Sequence, residues 1–549
     1  MPKQNLNPMK KLLSLLTFFL SISLYAQQAD YRVIPLPQHV RTDTTKVFTL
    51  ADGMEIAYPK DDGEVARTAR FLQTYVKDIT GMKLQLAPDS RKAKIQMYLI
   101  SELPIDIPFG IFNGRYLINI DENGIDIAAP TPEGLFRAVQ TLRKSLPICQ
   151  TKSVKMPYTT ISDEPRFQYR GVHLDSSRHF WSVETIKTYL DMLALHGCNQ
   201  FHWHLTDDQG WRFEVKALPE LAKKGSIREQ TVIGRNSGIF DGTPYGGYYT
   251  QEECREIVQY AAERYINIIP EIDLPGHMQA ALHVYPNLGC TGGPYPVWQV
   301  WGVSDDVLCA GNPETMKFLK TVLKELCDVF PSKLIHIGGD ECPKTRWKAC
   351  PKCQAKAREL GLADDGRHSI ENQLQTAINH EIEKYLASLG RNIIGWDETL
   401  EGGLTERATV MSWRGIQGGI EAARLHHNVI MTPVDFCYID YYQVKNNWNA
   451  PIAIGGYVPA SKTYSFEPVP TELTDEEMHF ILGPQVNLWC EYIAYPDHLF
   501  YMLLPRLDAI SEVQWTNPEL KDFDDFKNRL HHQFSLYNHL HVNYCKTVE

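Results

Sequence analysis

From residue 166 to residue 515 the sequence alternates between short apolar runs and longer segments with apolar residues at helical spacing, which constrains the fold more than any other feature. Eight runs have the length and composition of buried strands. They are 169–174, 199–205, 266–272, 334–337, 391–396, 409–413, 429–434 and 485–489. Eight parallel strands with intervening helices predict an α/β fold, a (β/α)8 barrel. A doubly wound open sheet is the alternative, but no G-x-G-x-x-G follows any of these strands.

Capping residues place several of the helices between these strands. Ser182 is predicted to cap a helix that runs to residue 196, and Thr250 with Glu253 forms a predicted capping box for a helix to residue 264. Further helices are predicted at 313–329, 370–389, 418–425 and 496–513.

Residues 30–162 are predicted to form a separate, smaller α+β unit. The predicted strands are 94–100, 116–120 and 124–128, and the predicted helices are 62–79 and 132–146. Asp121-Glu122-Asn123-Gly124 is the predicted hairpin turn between the last two strands. A chain of 549 residues is too long for one ordinary core. We therefore expect this unit, then the barrel at 166–515, then an extension at 516–549.

The first 26 residues have the pattern of a secretory signal peptide. Met9-Lys10-Lys11 supplies positive charge, residues 12–24 form an apolar run too short to span a bilayer, and Tyr25-Ala26 precedes a predicted cleavage point. No later stretch is apolar for long enough to cross a membrane. The sequence thus predicts an exported protein, periplasmic or extracellular, without a membrane span.

The charge balance argues against a nucleic-acid partner. The net charge is −11, so the chain has no excess of basic side chains to neutralise phosphates.

Two groups of cysteines could be structural. Cys290 and Cys309 flank a loop rich in glycine, proline and aromatic residues, and a disulfide between them is predicted for an exported chain. Cys342, Cys350 and Cys353 include one C-x-x-C, but a structural zinc site uses four ligands, usually from two such pairs. Free thiols or a local disulfide are therefore favoured over zinc, and no metal is predicted.

Polar and aromatic residues stand at the end of every predicted barrel strand. In chain order these ends read Asp175-Ser176-Ser177-Arg178-His179, His202-Trp203-His204-Leu205-Thr206-Asp207-Asp208, Glu271-Ile272-Asp273-Leu274-Pro275-Gly276-His277, Asp340-Glu341, Trp396-Asp397-Glu398, Trp413-Arg414, Tyr438-Ile439-Asp440 and Trp489-Cys490-Glu491. One such end would be an ordinary solvated loop. Eight in succession predict a single pocket, because the carboxyl ends of barrel strands converge.

The composition of this predicted pocket suits a sugar. Carboxylates and arginine bind hydroxyl groups, and flat indole rings pack against the apolar faces of a pyranose. A phosphate would require a glycine-rich cradle or clustered bases, and neither is present. A metal site built from His202, His204, His277 and Asp340 is the rival interpretation, although the two histidines of the second strand could equally be hydrogen-bonded core groups.

These motifs together resemble the family 20 glycoside hydrolases, the β-N-acetylhexosaminidases. The resemblance rests on Asp175-x-x-Arg178-His179, His202-x-His204-x-x-Asp207-Asp208-Gln209, Pro270-Glu271-x-Asp273-x-Pro275-Gly276-His277 and His336-x-Gly338-Gly339-Asp340-Glu341. It implies that the smaller unit is zincin-like without a metal, and that the barrel removes terminal non-reducing β-linked GlcNAc or GalNAc with retention of configuration. No cofactor is implied.

The resemblance also implies a role for each site residue. Glu341 would be the general acid and base, and Asp340 would orient the substrate's 2-acetamido group, the nucleophile that forms an oxazolinium. Tyr438 would bind the same acetamido oxygen. Trp396 and Trp413 would wall the acetamido pocket, and Trp489 would stack beneath the sugar ring. Arg178, Asp440 and Glu491 would hold the hydroxyls of the terminal sugar. Asp207 and His277 would support Glu341.

The adjacency of the two acids fits this interpretation. Neighbours along a chain rarely face each other as the acid and nucleophile of an ordinary retaining glycosidase, whereas a substrate-assisted enzyme needs no second carboxylate nucleophile. Glu341 must hold its proton near neutral pH, and Asp340 should stay ionised. A non-catalytic glycan-binding protein and a metal-dependent barrel hydrolase are the alternatives. The sequence leaves open the sugar epimer, the aglycone and whether the chain forms a homo-oligomer.

Overall fold

The computed structural model describes residues 28–101 and 114–549, so the predicted signal peptide lies outside the described residues. The chain forms two compact units. Of the described residues, one unit comprises those up to Arg166 together with Trp515–Val542, and the other comprises Phe167–Gln514 together with Asn543–Glu549. Most of the segment predicted as a C-terminal extension therefore belongs to the same unit as the N-terminal region.

The first unit is built on a seven-stranded sheet with helices. In order across the sheet, its strands are His39–Ala51, Ser153–Asp163, Tyr116–Ile120, Ile125–Ala129, Ile95–Leu99, Glu55–Ala57 and Gln85–Leu86. Its helices are Gly63–Thr80, Pro132–Ser145 and Phe523–His539. The predicted α+β architecture is confirmed, as are all three predicted strands, both helices and the hairpin turn. The likeness to zincins stays a prediction.

The sequence reasoning missed the two longest strands of this sheet. His39–Ala51 and Ser153–Asp163 pair antiparallel along most of their length. The first of them exposes nearly all of its side chains, so it lacks the apolar alternation by which a strand is recognised.

The second unit contains the predicted closed barrel of eight parallel strands. The strands are Gly171–Asp175, Gln200–His204, Asn267–Glu271, Leu334–His336, Asn392–Trp396, Thr409–Ser412, Val429–Met431 and Ile481–Val486. They neighbour one another in chain order, and the eighth pairs with the first through Gln485 and Val486. Closure rules out the doubly wound open sheet.

The predicted position of the eighth strand was wrong. It begins at Ile481 and ends at Val486, whereas 485–489 was predicted. Glycine and proline usually mark the end of a strand in a sequence pattern. Gly483 and Pro484 nevertheless lie within this strand, next to the point where its register shifts against the seventh strand. Gly483 has a φ of +146° there, which a residue without a Cβ adopts readily.

Helices connect most of the strands. They are Val183–Leu195, Gln251–Ala262, Gln279–Val284, Pro313–Val329, Thr345–Ala349, Pro351–Glu359, Ile370–Ser388, Gln417–Arg424, Val434–Cys437, Ala460–Tyr464, Asp475–Met478, Pro496–Leu503 and Arg506–Trp515. The Ser182 cap and the Thr250–Glu253 capping box are both formed. The single closing helix predicted at 496–513 was wrong, because Pro505 separates it into two helices.

Within 28–101 and 114–549, no helix combines the length and the apolar character needed to cross a membrane.

The predicted disulfide between Cys290 and Cys309 is absent from the structure. Neither cysteine is in a disulfide, and neither are Cys350 and Cys353. The four sulfur atoms instead share one cluster, in which each lies within 4.8 Å of the others. The sequence offers no second C-x-x-C, so the cluster becomes apparent only once the loops are folded.

The bulge in the eighth barrel strand gives a test of the fold. Gly483→Ala should lower the free energy of unfolding by more than the roughly 1–3 kcal/mol typical of an unfavourable φ, because the new Cβ would collide with the carbonyl oxygen of Tyr169. Gly455→Ala is the matched control, since Gly455 has a φ of +148° and open space around it. Denaturant titration followed by circular dichroism measures both, and equal losses would contradict the predicted collision.

Candidate active site

Two glycines turn the chain sharply at the end of the fourth barrel strand. Gly338 and Gly339 have φ values of +61° and +93°, and Glu341 has a φ of +47°, a left-handed conformation that is uncommon for a residue with a side chain. A Cβ at Gly338 would collide with the carboxylate of Asp273, and the Gly339 amide donates to that carboxylate at 3.1 Å. This turn places Asp340 and Glu341 together at the rim of the barrel.

A buried network of alternating charges lies beneath the two acids. Glu271 accepts hydrogen bonds from His202 at 3.0 Å and from His204 at 2.5 Å. The other ring nitrogen of His204 donates to Asp207 at 2.8 Å, and Asp207 also accepts from His277 at 3.0 Å. All five side chains are buried, so the charges are screened by one another rather than by water.

His277 joins this network to both acids. Its Nε2 lies 3.8 Å from Oδ2 of Asp340 and 3.8 Å from Oε2 of Glu341. Burial disfavours the charged imidazolium, but Asp207, Asp273 and Asp340 outweigh burial and hold the pKa of His277 well above its usual range. The imidazolium therefore presents a positive charge to the Asp340–Glu341 pair from below.

The carboxylates of Asp340 and Glu341 have different surroundings. The Asp340 side chain is mostly buried, with one oxygen that has no hydrogen-bond partner among the residues described, whereas the Glu341 side chain is about half exposed at 47%. Partial desolvation raises the pKa of Glu341, the negative charge of Asp340 raises it further, and His277 opposes both effects. Glu341 is therefore the member of the pair more suited to carry a proton.

Arg178 gathers acidic groups from three barrel strands. Its guanidinium contacts Asp175 at 3.2 Å, Asp207 at 3.0 Å and Glu491 at 3.7 Å. Its Nε donates to Gln209 at 3.0 Å. Burial raises the pKa of Asp207, but Arg178 and His277 outweigh burial and hold that pKa well below its usual range.

Tryptophans and a tyrosine form one wall of the site. Trp396 and Trp489 lie with their ring centres 5.9 Å apart, and Trp413 stacks on Tyr438 at 5.9 Å. Indole Nε1 of Trp396 donates to Glu271 at 3.2 Å, and that of Trp413 donates to Glu398 at 3.0 Å. These hydrogen bonds fix the planes of both rings, so the wall is formed before any ligand arrives.

Asp440 is buried and Glu491 is mostly buried, and both acids have unpaired oxygens among the described residues. Both oxygens of Asp440 and Oε2 of Glu491 have no hydrogen-bond partner in the part of the chain that the structure describes. Burial raises the pKa of Asp440 well above its usual range, and the nearby charge of Glu491 adds to the effect. An unsatisfied buried polar group costs about 1–3 kcal/mol, so these oxygens are poised to accept hydrogen bonds from a ligand.

The cleft beside Glu341 has a volume of about 460 Å³. Besides Glu341, it is lined by Val303, Gly339, Cys342, Lys344, Glu398, Glu401, Trp413 and Arg414. A space of this size accommodates a small ligand or a sugar residue.

The structure brings together every residue predicted for the site at the carboxyl ends of the barrel strands. It also adds three acids for which no role was predicted. Glu271 is the hub of the histidine network, and Asp208 accepts from the amides of Gln279 and Ser304 at 3.0 and 3.2 Å. Burial and the charges of Asp340 and Asp397 raise the pKa of Glu398 to about 8. All three stood in the strand-end motifs, but only the folded contacts distinguish them from solvated loop acids.

The rival metal site receives a different explanation from these contacts. His202 and His204 point their nitrogens at Glu271 and Asp207, and His277 points at Asp207. Each imidazole thus already has a carboxylate partner, as expected of hydrogen-bonded core histidines. Groups such as His202, Glu271 and His336 are still close enough to hold an ion.

Comparisons with known proteins agree with this geometry. Residues 167–518 match the model of the glycosyl hydrolase family 20 catalytic domain, and residues 30–164 match that of family 20 domain 2. A beta-hexosaminidase of Porphyromonas gingivalis is 41% identical over 91% of this chain, which spans only 62% of that relative's length. One of Vibrio furnissii is 38% identical over 88% of this chain and 76% of its own.

A solved structure extends the likeness to three dimensions. The crystal structure of a family 20 exo β-N-acetylglucosaminidase from Vibrio harveyi, in complex with N-acetylglucosamine, has a TM-score of 0.80 and 31% sequence identity to this protein. The match covers 95% of this chain and 79% of that one. Because the catalytic-domain model alone matches more than half of the sequence, and the relatives match both units, the chain belongs to glycosyl hydrolase family 20.

Proposed function

We propose that this protein is an exo-acting β-N-acetylhexosaminidase, which removes terminal non-reducing β-linked GlcNAc or GalNAc from glycans. The observation that carries the proposal is the adjacent pair Asp340–Glu341, whose members differ in environment at the edge of a tryptophan-lined pocket. The chain's membership of family 20 and the N-acetylglucosamine complex of the Vibrio harveyi relative support the same activity.

Glu341 acts as general acid and then as general base. Its raised pKa keeps a proton available for the leaving glycosidic oxygen, and its half-exposed carboxyl can reach both that oxygen and the incoming water. The positive His277 at 3.8 Å stabilises the carboxylate left after proton transfer, so the same residue can then accept a proton from water.

Asp340 orients the 2-acetamido group of the substrate. Its unpaired oxygen is available to accept the acetamido N–H, and its charge stabilises the positive charge that develops as the acetamido oxygen attacks the anomeric carbon. Tyr438 binds the acetamido oxygen, and Trp396 with Trp413 encloses the group. Attack by the substrate's own amide oxygen breaks the glycosidic bond, releases the aglycone that Glu341 has protonated, and gives a cyclic oxazolinium. Water then attacks the anomeric carbon from the face that the aglycone left, so the two inversions give net retention.

The remaining site residues hold the terminal sugar. Trp489 packs beneath the ring, and its indole is fixed by Arg178, whose guanidinium carbon lies 5.1 Å from the ring centre. Arg178, Asp440 and Glu491 bind the ring hydroxyls, which satisfy the carboxylate oxygens that lack partners among the described residues. Asp207 and His277 position Glu341 and tune its charge.

The natural substrates are glycans or glycoconjugates that end in a β-linked N-acetylhexosamine. The signal-peptide pattern supports export to the periplasm or the exterior, where such polymers are met. A homo-oligomer fits the extended barrel loops but has no further support. Turnover of matched β-linked GlcNAc, GalNAc and 6-sulfated GlcNAc substrates would define the specificity.

Two other functions predict different results. A metal-dependent hydrolase that uses the histidines of the network would lose activity in EDTA with its thermal midpoint unchanged, whereas substrate-assisted hydrolysis should continue for as long as the fold persists. A non-catalytic glycan-binding protein would bind the same sugars without releasing product.

Glu341→Gln should lower kcat by about 10²–10⁴-fold, the usual contribution of a general acid. Because the proton is lost as pH rises through the raised pKa of Glu341, the parent enzyme's activity should fall on the alkaline side, and the variant's remaining activity should not. The pH dependence of kcat on an aryl N-acetylglucosaminide measures this.

Glu398→Gln is the control for that experiment, because Glu398 is the other acid of the cleft with a raised pKa. It should retain the alkaline fall in activity. If the fall disappears in Glu398→Gln and persists in Glu341→Gln, the assignment of the general acid is wrong.

Asp340→Asn should lower kcat on N-acetylated substrates by about 10²–10³-fold, as expected when one group that stabilises a developing charge is lost. Asp435→Asn, which alters an exposed aspartate close in sequence to the seventh strand, is the control and should be neutral. Steady-state kinetics decide between them, and undiminished turnover by Asp340→Asn would remove the substrate-assisted mechanism.

Asp440→Asn should have opposite effects on stability and on substrate binding. The substitution replaces a buried acid, whose oxygens have no hydrogen-bond partner among the described residues, by an amide that cannot ionise and so has no desolvated charge, and the thermal midpoint of the ligand-free protein should rise. It also weakens hydrogen bonds to the sugar worth about 1.5–3 kcal/mol, so KM should rise roughly 10- to 100-fold. Scanning calorimetry and kinetics measure the two effects, and an unchanged KM would exclude Asp440 from the sugar site.

A further inference from the structure

Four cysteines from two separate loops meet outside the sugar site. Sγ of Cys309 lies 3.6 Å from that of Cys353 and 3.8 Å from that of Cys350, and Sγ of Cys290 lies 3.8 Å from that of Cys353. Cys309, Cys350 and Cys353 are buried, and Cys290 is partly exposed. No sulfur in this cluster takes part in the chemistry proposed above.

Local backbone structure builds the cluster from both sides. Gly289 and Leu308 form an antiparallel bridge, which holds together the two segments that carry Cys290 and Cys309. The sulfurs of these two cysteines lie within 4.8 Å of each other although the residues are distant in sequence. On the other side, Cys350 precedes the helix Pro351–Glu359 and Cys353 lies in its first turn. The bridge thus supplies the second pair of cysteines that a zinc site requires and that the sequence lacked as a motif.

A glycine allows the two loops to approach. A Cβ at Gly311 would collide with the backbone of Lys352 and Cys353, so only glycine permits the loop to pass this close to the C-x-x-C turn. The Gly311 amide also hydrogen-bonds the sulfurs of Cys309 and Cys353. Backbone amides that point at cysteine sulfurs are typical of metal-thiolate turns.

The spacing of the sulfurs fits a tetrahedral metal better than disulfides. Bonded sulfurs lie about 2.05 Å apart. Four sulfurs around a zinc ion at about 2.3 Å form a tetrahedron with edges of about 3.8 Å. The measured separations of 3.6 to 3.8 Å match that edge, and one sulfur, Cys309, is close to two others, which a single disulfide does not explain.

We propose that Cys290, Cys309, Cys350 and Cys353 form a structural site for Zn²⁺ or a similar thiophilic divalent cation. Four protein ligands fill a tetrahedral ion and leave no position for a substrate, so the site is structural rather than catalytic. The helix Pro351–Glu359 directs its positive end at the thiolates and offsets part of their charge.

The ion would fasten together the loops that follow the third and fourth barrel strands. Two further contacts join the same loops, since Arg346 binds Asp306 at 2.7 Å and the Trp347 indole donates to the carbonyl of Leu308 at 2.9 Å. The second loop carries Glu341, and the first contributes Val303 to the cleft. The metal would thereby hold two borders of the cleft at a fixed separation.

Metal analysis of the full-length protein tests the proposal independently of glycosidase activity. Protein purified under reducing conditions should contain zinc at about one ion per chain by mass spectrometry. After exchange with Co²⁺, it should show the intense visible bands of a tetrahedral cobalt thiolate. Absence of both signals would overturn the proposal. An intact mass of the same protein that is four hydrogens below that of the fully reduced chain would also overturn it, because this is the mass expected for two disulfides.

Cysteine variants locate the ion. Cys350→Ser and Cys353→Ser should lose most of the bound zinc and should melt at a lower temperature than the parent. Cys327→Ser is the control, because Cys327 is a half-buried cysteine outside the cluster, and it should keep its zinc. Retention of full zinc content by both cluster variants would refute the site even if the parent binds the metal, and a variant that fails to fold leaves the cobalt spectrum of the parent as the deciding result.

Discussion

The active site depends on whether the barrel supplies charged partners to the carboxylates that it buries. Glu271 and Asp207 are buried but face imidazolium or guanidinium groups, and these partners outweigh desolvation and hold the pKa of both acids well below the usual range. Asp440 is equally buried, but its oxygens have no hydrogen-bond partner among the described residues, and desolvation raises its pKa against the weaker opposing effect of Arg506. Desolvation acts on all of these buried carboxylates. Those with charged partners below the site stay ionised, and those without such partners are available to accept hydrogen bonds from a ligand.

Both effects, desolvation and a charged partner, act on Glu341. Asp340 and desolvation raise its pKa, and His277 lowers it. The alternating chain from Glu271 through His204 and Asp207 fixes the position and charge of His277, which is how groups that never touch the sugar influence the acid. A change deep in the barrel should therefore reach catalysis through electrostatics as well as through packing.

Features encoded by nearby residues were predictable from the sequence, and those that depend on distant contacts were not. The barrel strands, the Ser182 cap and the strand-end residues follow from local patterns, and the proposed sugar site follows from their convergence. The hub role of Glu271, the bulge at Gly483 and the cysteine cluster arise only when separate segments meet. In the cluster, the bridge between Gly289 and Leu308 does what a second C-x-x-C motif would have done.

The first unit is discontinuous along the chain, and this has a consequence for biosynthesis. Its last helix, Phe523–His539, buries Phe526 and Leu530, and Arg529 donates to the carbonyl of Val33 at 3.1 Å. A ribosome makes this helix only after the whole barrel sequence, so the N-terminal unit must wait, incomplete, while the barrel emerges. During that interval the apolar surface meant for the helix is open to chaperones or to aggregation, and a chain interrupted before residue 523 would never close it.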